Sequence, residues 1–313
     1  LSAKALAKTK KGVIIVNCAR GGLVDEAALK AGLDSGHIAG AALDVFATEP
    51  ATEHPLFGHE RVVATPHLGA STNEAQENVA IQIAEQMADY LTRGAVTNAL
   101  NMPSITAEEA PRLKPFIALA ENLGRFAGQL TETSVKAIEV VYAGGVAKLN
   151  TRPMTAAAVA GVLRPMLAEV NIVNAPLIAK ERGIAIAETY RDDAENFESV
   201  IRLRIVTERQ DRTVSGALFG QTPRIVEIKG VEMEASFAPH MLYVTNADKP
   251  GFIGALGQTL GAANVNIATF NLGRSAPGAD AIALLAVDEP VTDATLEKVR
   301  GLPHVKQAKS LRF

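Results

Sequence analysis

The first seventy residues place short apolar runs between segments with helical signals. Residues 12–17 (GVIIVN) form a continuous apolar run, which is typical of a strand buried on both faces. Asp25 predicts the N-cap of the helix that follows, and residues 41–45 and 62–64 indicate two more buried strands. This strand–helix–strand order predicts an α/β fold built on a doubly wound parallel sheet.

The next stretch predicts a long helix and then a linker. Ser71-Thr72-Asn73-Glu74 fits a capping box, and an amphipathic helix is expected from there to about Arg93. Residues 94–115 are polar and contain three prolines, which favours a linker.

In the middle of the chain, apolar and polar residues alternate as in strands with one buried and one solvent-exposed face. A helix near residues 115–130 precedes this pattern. The predicted strands are residues 135–142, 184–190, 200–207, 213–219 and 224–228. The alternation predicts an α+β domain with a largely antiparallel sheet.

The last segment predicts a βαββαβ order, which is that of a ferredoxin-like fold. The strands are expected at 241–245, 265–270, 281–287 and 305–311, with helices at about 251–262 and 292–300. Pro250-Gly251 and Thr292 are the two helix-start signals.

Composition narrows the class of protein. The 313 residues are 48% hydrophobic and carry a net charge of −3, which argues against a nucleic-acid or membrane-surface partner. No apolar run approaches the length of a membrane span. The single cysteine excludes an internal disulfide framework and fits a reducing cytoplasm. No metal-ligand spacing is present.

Arg20, Glu49 and His67 follow or end three of the predicted strand regions. Arginine grips a carboxylate with two parallel hydrogen bonds, histidine exchanges a proton near neutral pH, and glutamate can orient a histidine. Each residue also has a purely structural interpretation. Arg20 could be a surface residue in a glycine turn, Glu49 a solvent-exposed loop residue, and His67 a structural residue whose nitrogens are hydrogen-bonded within the fold. The three become a candidate catalytic set only as a joint pattern, suited to oxidation of a 2-hydroxy acid.

Other polar residues admit two interpretations. Cys18 has no positioned base nearby and is expected to pack beside a cofactor rather than act as a nucleophile. Asp44 fits either a helix cap or a contact with a nicotinamide ring. His37, His54 and His59 are interpreted as surface residues. The turn at 246–251 could hold a small zwitterion, although ordinary turn chemistry explains it equally well.

The segments 11–25, 42–50 and 65–71 strongly resemble the D-isomer-specific 2-hydroxyacid dehydrogenases. The resemblance implies a partial Rossmann-type domain and the catalytic residues Arg20, Glu49 and His67. It also implies NAD as cofactor and a small-molecule substrate. The implied cofactor contacts are Cys18, Ala19, Arg20, Asp44, His67, Gly69 and Ala70.

Residues 248–251 and 261–267 are similar to the long-form members of that family, which oxidise 3-phospho-D-glycerate at the start of L-serine synthesis. The resemblance implies that the chain has four parts. Residues 1–71 are the C-terminal half of the NAD-binding domain, and residues 72–97 are a helix that returns to the substrate domain, followed by a linker. Residues 98–232 are an intervening allosteric domain, and residues 238–313 are an ACT domain. It further implies a cytoplasmic homo-oligomer, a tetramer, with L-serine as effector. Asn246, Asp248 and Asn266 match serine-contact positions, with Asn246 replacing the family's usual His or Tyr.

The family's G-x-G-x-x-G loop is absent from these residues, and the chain starts in mid-domain at Leu1. We therefore expect the C-terminal part of a longer enzyme, inactive alone. Two alternatives stay open. One is another D-2-hydroxyacid dehydrogenase, such as a glyoxylate or hydroxypyruvate reductase. The other is a non-catalytic serine-sensing module.

Overall fold

The computed structural model describes residues 1–313, which divide into two compact units, Leu1–Met87 and Ala88–Phe313. The first unit contains a three-stranded parallel sheet and the helices connected to it. Its elements are α1 (Ala3–Leu6), β1 (Val13–Asn17), α2 (Glu26–Asp34), β2 (Ile38–Leu43) and β3 (Val62–Ala64), followed by α3 (Asn73–Arg93), which starts in this unit.

The three strands lie in the order β1-β2-β3 and all run parallel. Asn17 pairs with Leu43, and Leu43 pairs with Ala64. The carboxyl ends of the strands therefore meet at one edge, which is where open α/β sheets bind ligands. The predicted parallel sheet is confirmed, although β2 starts and ends earlier than the sequence indicates.

One face of this sheet forms the core of the unit. Leu29 and Leu33 of α2 pack in a cluster with Ile38, and all three are essentially fully buried. Asp25 caps α2 as predicted, since its carboxylate accepts from the amide of Ala28 at 2.9 Å. Side chains of a strand alternate between faces, so Ile14 and Val16 of β1 lie on the opposite face and are about two-thirds exposed. The prediction that β1 and β3 are buried on both faces is therefore wrong for this unit, since Val63 of β3 is exposed as well.

The long helix α3 runs over the predicted residues. The Thr72 hydroxyl accepts from the amide of Ala75 at 3.1 Å, so Thr72 provides the cap. The predicted capping box is off by one residue, because the Ser71 hydroxyl donates to the carbonyl oxygen of His67 instead. None of the residues of α3 is buried. No helix of the protein is both long enough and apolar enough to cross a membrane.

The second unit contains two sheets, five α-helices and one short 3-10 helix, Gly145–Lys148. Its helices are α4 (Ala110–Leu130), α5 (Arg152–Leu163), α6 (Ala175–Glu181), α7 (Phe252–Ala262) and α8 (Asp293–Arg300). Its strands are β4 (Val135–Gly144), β5 (Ala185–Arg191), β6 (Ser199–Thr207), β7 (Arg212–Phe219), β8 (Thr222–Ile228), β9 (Val231–Ser236), β10 (His240–Ala247), β11 (Ile267–Arg274), β12 (Asp280–Val287) and β13 (Val305–Arg312).

The larger sheet has the order β5-β4-β6-β7-β8-β9, with only β4 and β5 parallel. The predicted, largely antiparallel sheet is confirmed, and β9, α5 and α6 are additions. Helix α4 starts at Ala110 rather than near residue 115, and Pro115 lies inside it. Helices α4 and α5 touch backbone to backbone, since a β-carbon on Gly161 would lie 2.3 Å from the carbonyl oxygen of Glu121.

The smaller sheet has the order β11-β12-β10-β13, with α7 and α8 on one face, so the predicted ferredoxin-like order is confirmed. Residues on its other face belong to the same core as α4. Tyr243 of β10 and Phe126 of α4 pack edge to face, with ring centroids 5.9 Å apart. This shared core explains why the two sheets form one compact unit.

Candidate active site

The loop after β1 carries Arg20 and is held by Asn17. The amide of Ala19 donates to Asn17 Oδ1 at 3.1 Å, and Asn17 Nδ2 donates to the carbonyl oxygen of Arg20 at 3.0 Å. Asn17 is buried, whereas Arg20 is exposed. The sequence analysis missed this role of Asn17; the signal was an amide at the end of an apolar run.

Gly21 presses this loop against the segment that leads to Glu49. A β-carbon at Gly21 would lie 1.8 Å from the carbonyl oxygen of Phe46. No side chain fits there, so only glycine allows this approach. Gly21 thus makes room for the protein's own backbone, and so sets the Arg20 loop beside the Glu49 loop.

Glu49 and His67 form a direct pair. His67 Nδ1 lies 2.7 Å from Glu49 Oε2, while Glu49 Oε1 accepts from the amide of Phe46 at 2.9 Å. The Phe46 amide and the His67 imidazole hold the pKa of the Glu49 carboxyl below its usual value. Because an ionised carboxylate only accepts, the proton of a neutral imidazole lies on Nδ1 and leaves Nε2 as the free base.

Asp44 fixes the segment on which His67 lies. Its Oδ1 accepts from the Thr65 hydroxyl at 2.5 Å and from the Leu68 amide at 2.7 Å, and its Oδ2 accepts from the Gly69 amide at 2.7 Å. These bonds, led by that of Thr65, lower the pKa of the Asp44 carboxyl. The His67 backbone between these contacts has a φ of 62°. Asp44 therefore positions the histidine, a role that neither interpretation of the sequence included.

A cavity of about 750 Å³ lies beside the Glu49–His67 pair. Both residues line it, together with Phe46, Phe57 and Pro66 among others, and Arg20 does not. The His67 side chain is 46% exposed, so its ring can reach a bound molecule. Within this unit the structure joins two of the three predicted catalytic side chains directly, and links Arg20 to them through the Gly21–Phe46 contact.

The remaining predicted cofactor contacts lie at the same edge of the sheet. Cys18 is a free, exposed thiol, and Ala19, Gly69 and Ala70 are also exposed. No cluster of three or more His, Cys, Asp or Glu side chains is arranged to hold a metal ion.

The interpretation of His54 as a surface residue is wrong. Its Nε2 lies 2.9 Å from Glu26 Oε2, its side chain is only 14% exposed, and its ring packs 5.0 Å from that of Phe46. His37 and His59 are half-buried and contact Thr9 and Asp34, respectively, so they are not free surface residues either. Hydropathy cannot show these partners, because each comes from a distant part of the chain.

Two of the three predicted effector contacts lie where β10 ends and the chain turns towards α7. Asn246 is 1% exposed, and its Oδ1 is buried without a hydrogen-bond partner. Asp248 Oδ2 accepts from Arg274 Nη1 at 2.8 Å and from the Gly278 amide at 3.0 Å. The Gly278 amide, followed by the Arg274 guanidinium, lowers the pKa of the Asp248 carboxyl.

Asn266, the third predicted contact, lies elsewhere in the single chain. It precedes β11, whose Ile267 pairs with Val287, and its Nδ2 donates to Asp288 Oδ2 at 2.6 Å. Asn246 pairs with Ala281, at the other end of β12. At about 3.4 Å per residue the two ends are roughly 20 Å apart. The antiparallel register thus separates Asn266 from the other two.

Comparison with known proteins assigns each part of the chain. Residues 1–69 match the D-isomer specific 2-hydroxyacid dehydrogenase NAD binding domain, residues 112–229 the D-3-phosphoglycerate dehydrogenase intervening domain, and residues 240–304 the ACT domain. The first part of the chain is therefore similar to the D-isomer-specific 2-hydroxyacid dehydrogenases. Along nearly its whole length the chain is similar to proteins named D-3-phosphoglycerate dehydrogenase.

Three such relatives illustrate the similarity. The protein of Bacillus subtilis is 39% identical over 99% of this chain and 59% of its own length. That of Methanocaldococcus jannaschii is 40% identical over 96% of this chain and 57% of its own length. That of Synechocystis is 38% identical over 100% of this chain and 57% of its own length. The chain thus spans less than two thirds of these relatives. Among solved structures, a glyoxylate reductase from Paecilomyes thermophila is 39% identical over 30% of this chain and 29% of that chain, with a TM-score of 0.28.

Proposed function

We propose that this protein is an NAD-dependent phosphoglycerate dehydrogenase, which oxidises 3-phospho-D-glycerate to 3-phosphohydroxypyruvate in L-serine synthesis. The observation that carries the proposal is the 2.7 Å contact between His67 and Glu49, at the edge of the sheet where Arg20 also lies. The similarity to D-3-phosphoglycerate dehydrogenases over nearly the whole chain supports this substrate among 2-hydroxy acids.

The side chains divide the work of the reaction. Arg20 binds the substrate carboxylate with its planar guanidinium, which orients the carbon that bears the hydroxyl. His67 takes the hydroxyl proton on Nε2, because Nδ1 is bonded to Glu49. Glu49 then stabilises the imidazolium that forms. Asp44 and Asn17 keep the two loops in place.

The residues at the carboxyl edge of the sheet fit the cofactor. Bound NAD⁺ supplies the hydride acceptor. Cys18, Ala19, Gly69 and Ala70 would hold it, since all four are small and exposed at the edge where such sheets bind nucleotides. A β-carbon at Gly69 would lie 3.1 Å from Asp44 Oδ2, so this position suits glycine. In this proposal Asp44 acts on the cofactor through the Gly69 segment.

The test is an assay of the full gene product with 3-phospho-D-glycerate and NAD⁺, run beside glyoxylate and hydroxypyruvate with NADH. We expect phosphoglycerate to give the highest kcat/KM, and His67→Gln to lower kcat by about 10²–10⁴-fold while leaving the fold intact by circular dichroism. A preference for glyoxylate would assign the protein to another activity of the same family. Normal turnover by the histidine variant would remove the proposed role of His67.

We propose in addition that the ACT domain binds L-serine between two copies of the chain in a homo-oligomer, a tetramer. The support is the separation of Asn266 from Asn246 and Asp248 within one chain: a second copy is needed to complete a site of all three. The unpartnered Oδ1 of buried Asn246 is an acceptor for the effector's ammonium or hydroxyl. The single cysteine supports a reducing compartment, the cytoplasm.

Calorimetry with L-serine, combined with light scattering, tests this second proposal. We expect binding that Asp248→Asn weakens and a mass of more than one chain. The proposal would be contradicted by a monomeric protein, or by an L-serine affinity that neither Asp248→Asn nor Asn266→Ala changes.

A further inference from the structure

The six-stranded sheet carries a second cavity, on the face away from α4 and α5. It has a volume of about 330 Å³, which is within the range of small-molecule sites. Its apolar part includes Val141, Ala143, Val200 and Val226. The last three of these are buried in a small cluster of their own, separate from the main core. The cavity lies in the second unit and includes none of the residues of the candidate active site.

One wall of the cavity is the segment between β5 and β6, and it is firmly anchored. The amide of Gly145 donates to the carbonyl oxygen of Glu198 at 2.9 Å, and the amide of Val146 donates to Ser199 Oγ at 3.0 Å. A β-carbon at Gly144 would lie 2.2 Å from the carbonyl oxygen of Glu198. Ala194 of this segment is buried. The cavity is therefore preformed, which lowers the cost of binding.

Its polar part is a row of three side chains on adjacent strands. Arg202 pairs with Ser215 across β6 and β7, and Ser215 pairs with Glu227 across β7 and β8. Arg202 Nε donates to Ser215 Oγ at 3.0 Å, and Arg202 Nη2 donates to Glu227 Oε2 at 2.8 Å. Ser215 is 1% exposed. Its hydroxyl holds both charged side chains, since it accepts from Arg202 and donates to Glu227 Oε2 at 3.3 Å.

The same row presents two opposite charges side by side to the cavity. The contacts above engage Nε and Nη2 of Arg202 and Oε2 of Glu227, so Arg202 Nη1 and Glu227 Oε1 are left for a bound molecule. The two side chains are 35% and 21% exposed. Because Arg202 and Glu227 are in direct contact, their free donor and free acceptor lie side by side and suit a carboxylate and an ammonium carried by one carbon atom.

The charges around the cavity select against anions. Two arginines and four carboxylates line it. A free phosphate or a phosphorylated acid would meet this negative excess, whereas a zwitterion adds no net charge. The valines beside the charged row add a place for a hydrocarbon side chain.

We propose that this cavity binds a free α-amino acid with an aliphatic side chain. Its carboxylate bonds to Arg202, its ammonium bonds to Glu227, and its side chain lies against Val200 and Val226. The site is separate from the turn at Asn246 and Asp248, and it does not depend on the dehydrogenase activity.

The test is calorimetry of the 313-residue chain with L-leucine, 4-methylpentanoate and 3-methylbutylamine. The last two compounds keep the hydrocarbon and lack the ammonium or the carboxylate. We expect L-leucine to bind at millimolar concentration or below, and each analogue to bind about tenfold more weakly or worse, because each loses a charge-assisted hydrogen bond. Equal binding of the three compounds, or no binding of L-leucine, would overturn the proposal without any variant.

Variants then locate the site. Glu227→Gln keeps the shape and removes the charge, and we expect at least a tenfold loss of L-leucine affinity. Glu181→Gln, an exposed substitution on α6, is the matched control and should change nothing. Asp248→Asn should also leave L-leucine binding unchanged. If Asp248→Asn abolishes binding and Glu227→Gln does not, the amino acid binds at the ACT turn and this proposal is wrong.

Discussion

The Nδ1 atom of His67 and the Oε2 atom of Glu49 lie 2.7 Å apart, although 18 residues separate them in the chain. The contact sets the tautomer of the ring and places a negative charge behind it. Because Glu49 is itself fixed by the Phe46 amide, the imidazole is held in one orientation. The chemistry of the proposed reaction depends on this pair.

Glu49→Gln tests the electrostatic part of the pair. The amide keeps a polar group beside Nδ1 but removes the negative charge that stabilises a protonated ring. We expect kcat/KM for hydroxyl oxidation to fall, since the imidazolium that forms as His67 takes the hydroxyl proton is then no longer stabilised by a facing carboxylate. Steady-state kinetics of the full gene product measure this value. An unchanged kcat/KM would show that Glu49 only orients His67.

His67→Ala and Arg20→Ala should impair turnover by different routes. Loss of the proton acceptor should lower kcat by about 10²–10⁴-fold, the usual contribution of general-base catalysis. Loss of the guanidinium should raise KM as well, because it removes binding and orientation of the substrate carboxylate. Steady-state kinetics with varied substrate separate the two parameters. An Arg20→Ala enzyme with unchanged KM would contradict the carboxylate role.

Asp44→Asn should change how stability responds to acid. The pKa of Asp44 is lowered in the folded chain, so its ionised form stabilises the fold above the pKa of an unfolded aspartate. This contribution is lost as the pH falls through the lowered value. We therefore expect the difference between wild type and Asp44→Asn to be constant above about pH 5 and to shrink below it.

Hydrogen exchange of the amides of residues 65–70, measured from pH 3 to 7 and corrected for intrinsic rates, reports this local stability. Asp25→Asn, at the exposed cap of α2, serves as the comparison because asparagine also caps helices well. A pH-independent difference at Asp44 would mean that its charge does not hold the segment.

Gly21→Ala should destabilise the first unit more than Gly22→Ala. The first substitution places a methyl group 1.8 Å from the Phe46 oxygen, so the backbone must shift, at a cost of about 1–3 kcal/mol. Gly22 has a φ of 77° but open space around it, so alanine there adds only backbone strain of about 1 kcal/mol. Calorimetric scans of both variants show which one is less stable. A larger loss of stability in Gly22→Ala than in Gly21→Ala would contradict the packing argument.

Much of the architecture could be predicted from local pattern. Continuous apolar runs predicted β1 and β3, Asp25 and Thr292 predicted two helix starts, and the alternation along residues 135–228 predicted a largely antiparallel sheet. These signals work because burial and capping depend on neighbouring residues. Pro115 was expected to lie at the start of a helix, but it lies inside one that starts at Ala110. A proline near the start of a long buried helix is tolerated when packing of the later turns outweighs its lost hydrogen bond.

The sequence by itself determined which residue types are present for chemistry: Arg20, Glu49 and His67 at strand ends, and an amide and a carboxylate at the 246–248 turn. Only the tertiary structure decided their partners. It paired Glu49 with His67 and made Asp44 a hydrogen-bonding support for the His67 segment. It also brought the backbone of Gly21 against that of Phe46, and it placed Asn266 at the far end of its sheet. The reason is physical: local pattern records burial and backbone preference, whereas hydrogen-bond partners depend on strand order and register, which arise from packing across the whole unit.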